Sequence, residues 1–293
     1  MHTGHIGVWH PLISKAPAEV VRRTAAEIEE LGYGSLWANE AVGTKDPFAV
    51  AGVLLAATRR IAVGTGIASL WARDATSMAA GAVTLADAYP DRFLLGIGVS
   101  HSPLVGRRGH DYAKPLTATR AYLDGMDEAA RELPDAKAPR LLAALGPKML
   151  ELSRDRADGA HTYFVPPEHT AQAREILGAD RLLVPEQAVL IEPDPTRART
   201  MARAYMSYYL PLPNYLNNLR NLGYTDADFA DGGSDRLADA IVAWGDPEAI
   251  AKRVHAHLDA GADHVAIQPL SPDGPDLDDA LRQLHSLAPA LGL

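Results

Sequence analysis

The chain has 293 residues, 47% of them hydrophobic and 22% charged, enough to bury a large core in one big domain or two modest ones. Its 28 Lys and Arg against 37 Asp and Glu leave a net charge of -9 with no dense basic stripe, which argues against a nucleic-acid or anionic-membrane surface and requires any phosphate-bearing ligand to find a local pocket. The absence of cysteine excludes disulfides, thiolate metal sites and a cysteine nucleophile.

The opening residues, Met1 to Trp9, lack the basic and apolar regions of a signal peptide, and the longest apolar stretch, Phe48 to Ala57, falls far short of the roughly 18 residues of a membrane span. The expectation is a soluble cytoplasmic protein with no membrane contact.

Short apolar runs alternate with amphipathic segments along the whole chain. Ile6 to Leu12 reads as a strand. Pro17 suits a first helical position, and Val20, Val21, Ala25, Ile28 and Leu31 recur at helical spacing until Gly32. Tyr33 to Asn39 reads as the second strand, Pro47 opens a helix to Arg60, and Ile61 to Leu70 reads as the third strand. A helix over Ala75 to Tyr89, a strand over Arg92 to Val99, a helix over Leu116 to Leu133, a strand over Arg140 to Leu145 and a helix over Pro147 to Ala157 continue the series. Then come a strand over Ala160 to Val165, a helix over Thr170 to Leu177, a strand over Glu186 to Ile191, a long helical region from Pro195, a strand over His264 to Gln268 and a last helix over Leu277 to Leu291.

Eight strands alternating with helices in a chain of this length predict a (β/α)₈ TIM barrel forming a single domain over residues 1–293. The tyrosine-rich stretch of about 205–243 breaks the rhythm and reads as an insertion after strand 7. A dinucleotide-binding sheet is the competitor, but neither Gly64-Thr65-Gly66 nor Gly96-Ile97-Gly98 continues into G-x-G-x-x-G, and no P-loop is present.

In such a barrel, polar residues at the carboxyl ends of the strands face one cup. His10 ends strand one, Asn39 and Glu40 strand two, Ser69, Trp71 and Arg73 strand three, and Ser100 and His101 strand four. Gly146, Pro147 and Lys148 end strand five, Tyr163 strand six and Gln268 strand eight. Glu40 has two open readings, a proton carrier or a loop carboxylate in an ion pair. His101 titrates near neutrality and sits where an apolar strand would not otherwise place it. His10 either serves the site or caps its strand. Arg73 and Lys148 are anion candidates, and Pro147 opens a helix whose free N–H groups suit a phosphate or carbonyl. His255 and His257, two apart on a helix, point to different faces and read as surface or packing residues, so no metal is expected.

Five segments in this order carry a resemblance: Leu36 to Glu40, Ala62 to Ala68, Gly96 to His101, Gly146 to Lys148 followed by Ala157-Asp158-Gly159, and Gly261 to Gln268. Through them the chain resembles the luciferase-like oxidoreductases, in particular the actinobacterial branch that uses the deazaflavin coenzyme F420. The resemblance implies a (β/α)₈ barrel whose insertion helps shape the substrate pocket, usually in a homodimer. It also implies a bulged third strand with a cis peptide at Gly66–Ile67 backing the coenzyme ring, and it carries over the backbone from Gly146 to Met149 for the coenzyme. Sugar-phosphate dehydrogenase members end strand two with histidine and strand four with glutamate. Here Glu40 and His101 occur in swapped order, so the acid/base types are kept but that substrate is not, and the lysines that bind phosphate in those members have no match. The implied activity is F420-dependent hydride transfer to or from a small organic substrate, with Glu40, His101 and Asn39 as catalytic candidates. His10, Gly66, Ile67, Ser69, Arg73, Ser100, Gly146, Pro147, Lys148 and Met149 are the coenzyme-binding candidates. Two alternatives stay open: an FMN-dependent monooxygenase on the same barrel, and a catalytically silent flavin-binding barrel.

Overall fold

The computed structural model describes residues 3–293. Its strands are β1 (Ile6–Trp9), β2 (Ser35–Ala38), β3 (Ala62–Thr65), β4 (Ala68–Ser69), β5 (Phe93–Gly98), β6 (Arg140–Ala143), β7 (Gly159–Thr162), β8 (Leu182–Ile191), β9 (Val242–Gly245) and β10 (Val265–Pro269). All pair in parallel. The order β10-β1-β2-β3-β5-β6-β7-β8 closes through β8 against β10, so the predicted eight-stave barrel is present. The third stave is β3 and β4 together, separated by a cis peptide between Gly66 and Ile67, and not the single run Ile61 to Leu70.

The helices are α1 (Ala18–Glu30), α2 (Pro47–Ala57), α3 (Ala75–Ala88), α4 (Ser102–Gly106), α5 (Pro115–Ala129), α6 (Pro147–Arg156) and α7 (Pro167–Leu177). Beyond β8 come α8 (Pro195–Met206), α9 (Pro213–Asn221), α10 (Asp226–Phe229), α11 (Asp235–Ile241), α12 (Pro247–Asp259) and α13 (Leu277–Leu287). Their starts follow local chemistry. Asp46 accepts from the N–H groups of Phe48 and Ala49 with Pro47 next to it, and Asp74, Asp194, Ser234, Asp246 and Asp276 cap α3, α8, α11, α12 and α13 in the same way. No described helix is long and apolar enough to cross a membrane.

Trp9, Trp37, Leu94, Leu141, Val184 and Ala266 form the inner core of the barrel. Trp37 is fully buried and stacks on His161 at 5.0 Å and 7°, and its indole N–H donates to Ser35 Oγ at 2.7 Å. A larger apolar layer fills the space between staves and outer helices, and a third cluster holds the segment after β8, where Tyr205, Tyr215, Tyr224 and Leu237 pack on Ala188 and Leu190.

Several sequence expectations need correction. The first strand stops at Trp9, because Pro11 begins a 3₁₀ turn over Pro11–Ser14. The short helix α4 was not expected. The strand expected from Glu186 starts at Leu182, which puts Glu186 inside the barrel. The stretch 205–243 is mostly helical, yet it runs into β9, a strand that pairs with the outer half of β8. His257 is fully buried, with Thr170 Oγ1 2.8 Å from its Nδ1 and Gln187 Oε1 3.0 Å from its Nε2, so only the packing half of the expectation for it holds.

Candidate active site

A cavity of about 370 Å³ opens at the carboxyl ends of the strands, within the usual range for a small-ligand site. Asn39, Glu40 and Ala41 enter it from the end of β2, Gly66 and Ile67 from the break between β3 and β4, and Val99, Ser100 and His101 from the end of β5. Ala143 to Gly146 and Met149 contribute from β6 and α6, and His161 and Tyr163 form part of the floor beside Trp9. The roof is supplied by Tyr209, Asn214 and Tyr215 from the insertion and by Leu104 and Tyr112 from the segment after β5.

Two close approaches define one wall. A Cβ on Gly66 would lie 2.8 Å from the Trp9 indole nitrogen, and one on Gly98 would lie 2.9 Å from Ile67 and from Ala143. Glycine at 66 makes room for the Trp9 indole, and glycine at 98 lets Ile67 pack onto β5. The Trp9 indole N–H donates to Gly66 O at 2.8 Å and the Gly66 N–H donates to Ala38 O at 2.8 Å, which fixes the peptide between two staves.

Glu40 is engaged on every side. Arg73 donates to both its oxygens at 2.8 and 2.9 Å, the Ser69 N–H at 2.8 Å and Arg108 at 3.3 Å, and the carboxylate side chain is only 6% exposed. Arg73 also reaches Asp46 at 3.0 Å and lies over the Phe48 ring. Of the two readings open in the sequence, the ion-paired one describes this geometry, and Arg73 and Ser69 hold Glu40 from behind the cavity wall.

Ser100 has φ 56, a left-handed conformation in a non-glycine residue, and it turns the chain between β5 and α4 so that His101 faces the cavity. The His101 ring sits 5.3 Å from that of Tyr215, and its Nδ1 is buried without a hydrogen-bond partner. Burial lowers its pKa below the ordinary histidine value, partly opposed by Asn214. Asn39 Oδ1 is also buried and unpartnered. Such atoms cost about 1–3 kcal/mol each when left unpaired. Two of them lining one cavity suit a polar ligand.

Of the coenzyme candidates, Gly66, Ile67, Ser100, Gly146 and Met149 line the cavity, whereas His10, Ser69, Arg73, Pro147 and Lys148 do not. His10 is buried with Nδ1 accepting from the Leu12 N–H, which is the capping role. Lys148 is exposed, on the first turn of α6, whose Gly146 start has no side-chain cap. Arg108, just beyond α4, reaches Glu40 at 3.3 Å. Sequence reasoning missed Tyr209, Asn214, Tyr215 and Tyr112 as lining residues; the cluster of tyrosines in a region without strand rhythm was the only signal for the first three.

The family described as luciferase-like monooxygenase matches residues 1–264. The chain belongs to that family. Among relatives of similar length, it is 24% identical over 311 residues to a 5,10-methylenetetrahydromethanopterin reductase of Methanolobus tindarius, covering 91% of this chain and 94% of the relative. The coenzyme F420 dependent tetrahydromethanopterin reductase of Methanopyrus kandleri superposes with a TM-score of 0.77 at 16% identity, over 98% of this chain and 100% of that one. The oxygenating constituent of 3,6-diketocamphane monooxygenase of Pseudomonas putida, solved with FMN, superposes with a TM-score of 0.72 at 13% identity, over 97% and 95%. Both superpositions confirm the barrel expected from the sequence.

Proposed function

We propose that this luciferase-like chain is an oxidoreductase that moves a hydride between coenzyme F420 and a small organic substrate. The observation that carries the reading is the cavity itself, in which apolar lining at Gly66, Ile67 and Val99 shares one space with a buried imidazole, His101, with one nitrogen free. The coenzyme assignment is supported by the full-length relative, a tetrahydromethanopterin-type reductase, and by the F420-dependent enzyme of similar description whose barrel superposes on this one.

When bound, a deazaflavin supplies an electron pair as hydride and lacks the nitrogen through which ordinary flavins react readily with oxygen. The chain's part is to orient, to exclude water and to handle one proton. Ile67 and Val99 offer a flat apolar backing. The uncapped start of α6 at Gly146 to Met149 offers N–H groups to an anionic tail, with Lys148 on its solvent side. His101, kept neutral by burial, offers its unpartnered Nδ1 as a hydrogen-bond partner to the reacting group of the substrate. Asn39 orients a polar group of the substrate, and Glu40, pinned by Arg73, holds the Asn39–Ala41 segment at the wall.

The test is a fluorescence titration of the purified protein with F420 and with FMN. Micromolar or tighter binding of F420 and much weaker binding of FMN is expected. The reverse order, or a yellow protein that purifies with FMN, moves the assignment to the monooxygenase reading.

A further inference from the structure

A carboxyl group with no part in the function just proposed lies beneath the cavity. Glu186 faces the barrel interior from β8, opposite Ala266 of β10, and is 1% exposed. One oxygen accepts from the Phe164 N–H at 3.2 Å, and the other has no hydrogen-bond partner. Phe164 is left-handed, with φ 60, which is rare for a bulky residue and turns its N–H at the end of β7 toward the carboxyl. Among the described residues no cation pairs with Glu186.

Its polar neighbours are phenols. The Tyr205 ring, from α8, packs on that of Phe164, the carboxyl's hydrogen-bond donor, with centroids 5.9 Å apart. Tyr205 donates to the Tyr163 hydroxyl at 3.4 Å, Tyr163 and Tyr209 share a bond of 2.8 Å, and Tyr163 donates to Gln268 Oε1 at 2.7 Å. Tyr215 from α9 closes the group, its ring 5.4 Å from Tyr209. Tyr163, Tyr209 and Tyr215 line the cavity, so the bonded hydroxyls of Tyr205, Tyr163 and Tyr209 run to the place where a substrate would sit.

A charge buried here without a cation is costly, and burial pushes the carboxyl up to about 8 against the opposing pull of the Phe164 N–H and Tyr205. The four tyrosines are held well above their ordinary value for the same reason, so none of them ionises near neutral pH. Each hydroxyl donates one hydrogen bond and accepts others, and so can relay a proton by exchanging bonds without carrying charge.

We propose that Glu186 is the proton reservoir of the cavity, exchanging its proton with the substrate through the hydroxyls of Tyr205, Tyr163 and Tyr209. The proposal rests on the hydride-transfer reading. In the reducing direction a carbon–heteroatom π bond of the substrate accepts the hydride pair, supplied by the reduced deazaflavin, at carbon. The π electrons move to the heteroatom, which takes a proton from the Tyr163 or Tyr209 hydroxyl. That phenol is reprotonated through Tyr205 by Glu186, which is left as carboxylate until it takes a proton from solvent. The oxidising direction reverses each transfer. Glu186 acts through the tyrosines and does not touch the substrate.

The experiment compares wild type, Glu186→Gln and Tyr163→Phe. Infrared difference spectroscopy of the coenzyme-free protein should show a carboxylic acid band that disappears as pH rises through about 8 and is missing in Glu186→Gln. In turnover, each variant should lose roughly 10²-fold in kcat while binding coenzyme within a few fold, and Glu186→Gln should lose the alkaline limb of the wild-type pH profile. Tyr163→Phe keeps the ring in place, so it serves as the check if the glutamine variant folds poorly. An absent acid band, or full turnover with an unchanged pH profile in both variants, overturns the proposal. Failure to bind F420 would instead sink the coenzyme reading, and the infrared titration would separate the two outcomes because it needs no coenzyme.

Discussion

Arg73 grips both oxygens of Glu40, at 2.8 and 2.9 Å, from 33 residues away in sequence, with side chains only 12% and 6% exposed. A pair buried to this degree is interdependent, because deleting one partner strands the charge of the other at a cost of about 3–5 kcal/mol, whereas replacing both with apolar groups removes that cost. Arg73→Ala should therefore lower stability by about 3 kcal/mol in urea unfolding. The double variant Arg73→Met/Glu40→Leu should regain most of it. A loss in the double variant equal to the sum of the two single-variant losses would show that the two side chains are energetically independent.

His101 is a cavity group with a free nitrogen, and the function proposed gives it a hydrogen bond to the reacting group of the substrate. His101→Ala should lower kcat by roughly 10² to 10⁴ while coenzyme affinity stays within a few fold. Because burial lowers its pKa, the acid limb of the wild-type kcat/KM profile should fall below the ordinary histidine value and vanish in the variant. Wild-type turnover by His101→Ala would remove it from the chemistry.

The barrel was legible because its staves and helices are written locally. Pro47 and Pro147 mark helix starts, and short apolar runs such as Phe93 to Gly98 alternate with amphipathic segments. Glu40 and His101 were legible as strand-end residues, and the structure brings both to one cavity. What was hidden depends on closure of the chain in space. No local pattern ties Arg73 or Arg108 to Glu40. Glu186 reads in the sequence as the first residue of a strand, since Leu182 to Pro185 precede it without alternation and contain a proline; the register with β10 puts it inside. Tyr205, Tyr209 and Tyr215 looked like an irregular insertion because what unites them is a contact with β7 and β8.

Gly98 offers a steric test of the cavity wall. Its backbone is not left-handed, so an added methyl acts only by contact, 2.9 Å from Ile67 and from Ala143. Gly98→Ala should displace Ile67, cost about 1–3 kcal/mol of stability and weaken coenzyme binding by roughly tenfold. Gly106→Ala, at a helical position with nothing within 4 Å, is the matched control and should leave both unchanged or slightly improved. Unaltered binding by Gly98→Ala would mean that the ring does not rest on this wall.

Stability should peak near pH 6.5, because two sets of buried groups pull in opposite directions. Burial, the largest cause in each case, lowers His10, His161 and His264 from 6.5 to about 4 and His257 to about 3. On unfolding these histidines regain affinity for protons, so the stability they contribute is complete above about 6.5 and is lost as pH falls through 4, each adding a slope of about 1.4 kcal/mol per pH unit in that window. Glu186 has the opposite sign. Burial raises it from 4.5 to about 8, so its contribution is complete below 4.5 and is lost as pH rises through 8. Between 6.5 and 8 the histidines are neutral in both states and Glu186 governs the slope. Urea midpoints measured from pH 5 to 8 should therefore fall on both sides of a maximum near 6.5. Glu186→Gln should flatten the alkaline side and steepen the acid side, and His257→Gln should make the acid side shallower. A wild-type midpoint that stays level from pH 5 to 6.5 would mean that the histidines take up protons without leaving the fold, and a level alkaline side would mean that Glu186 is already ionised inside it.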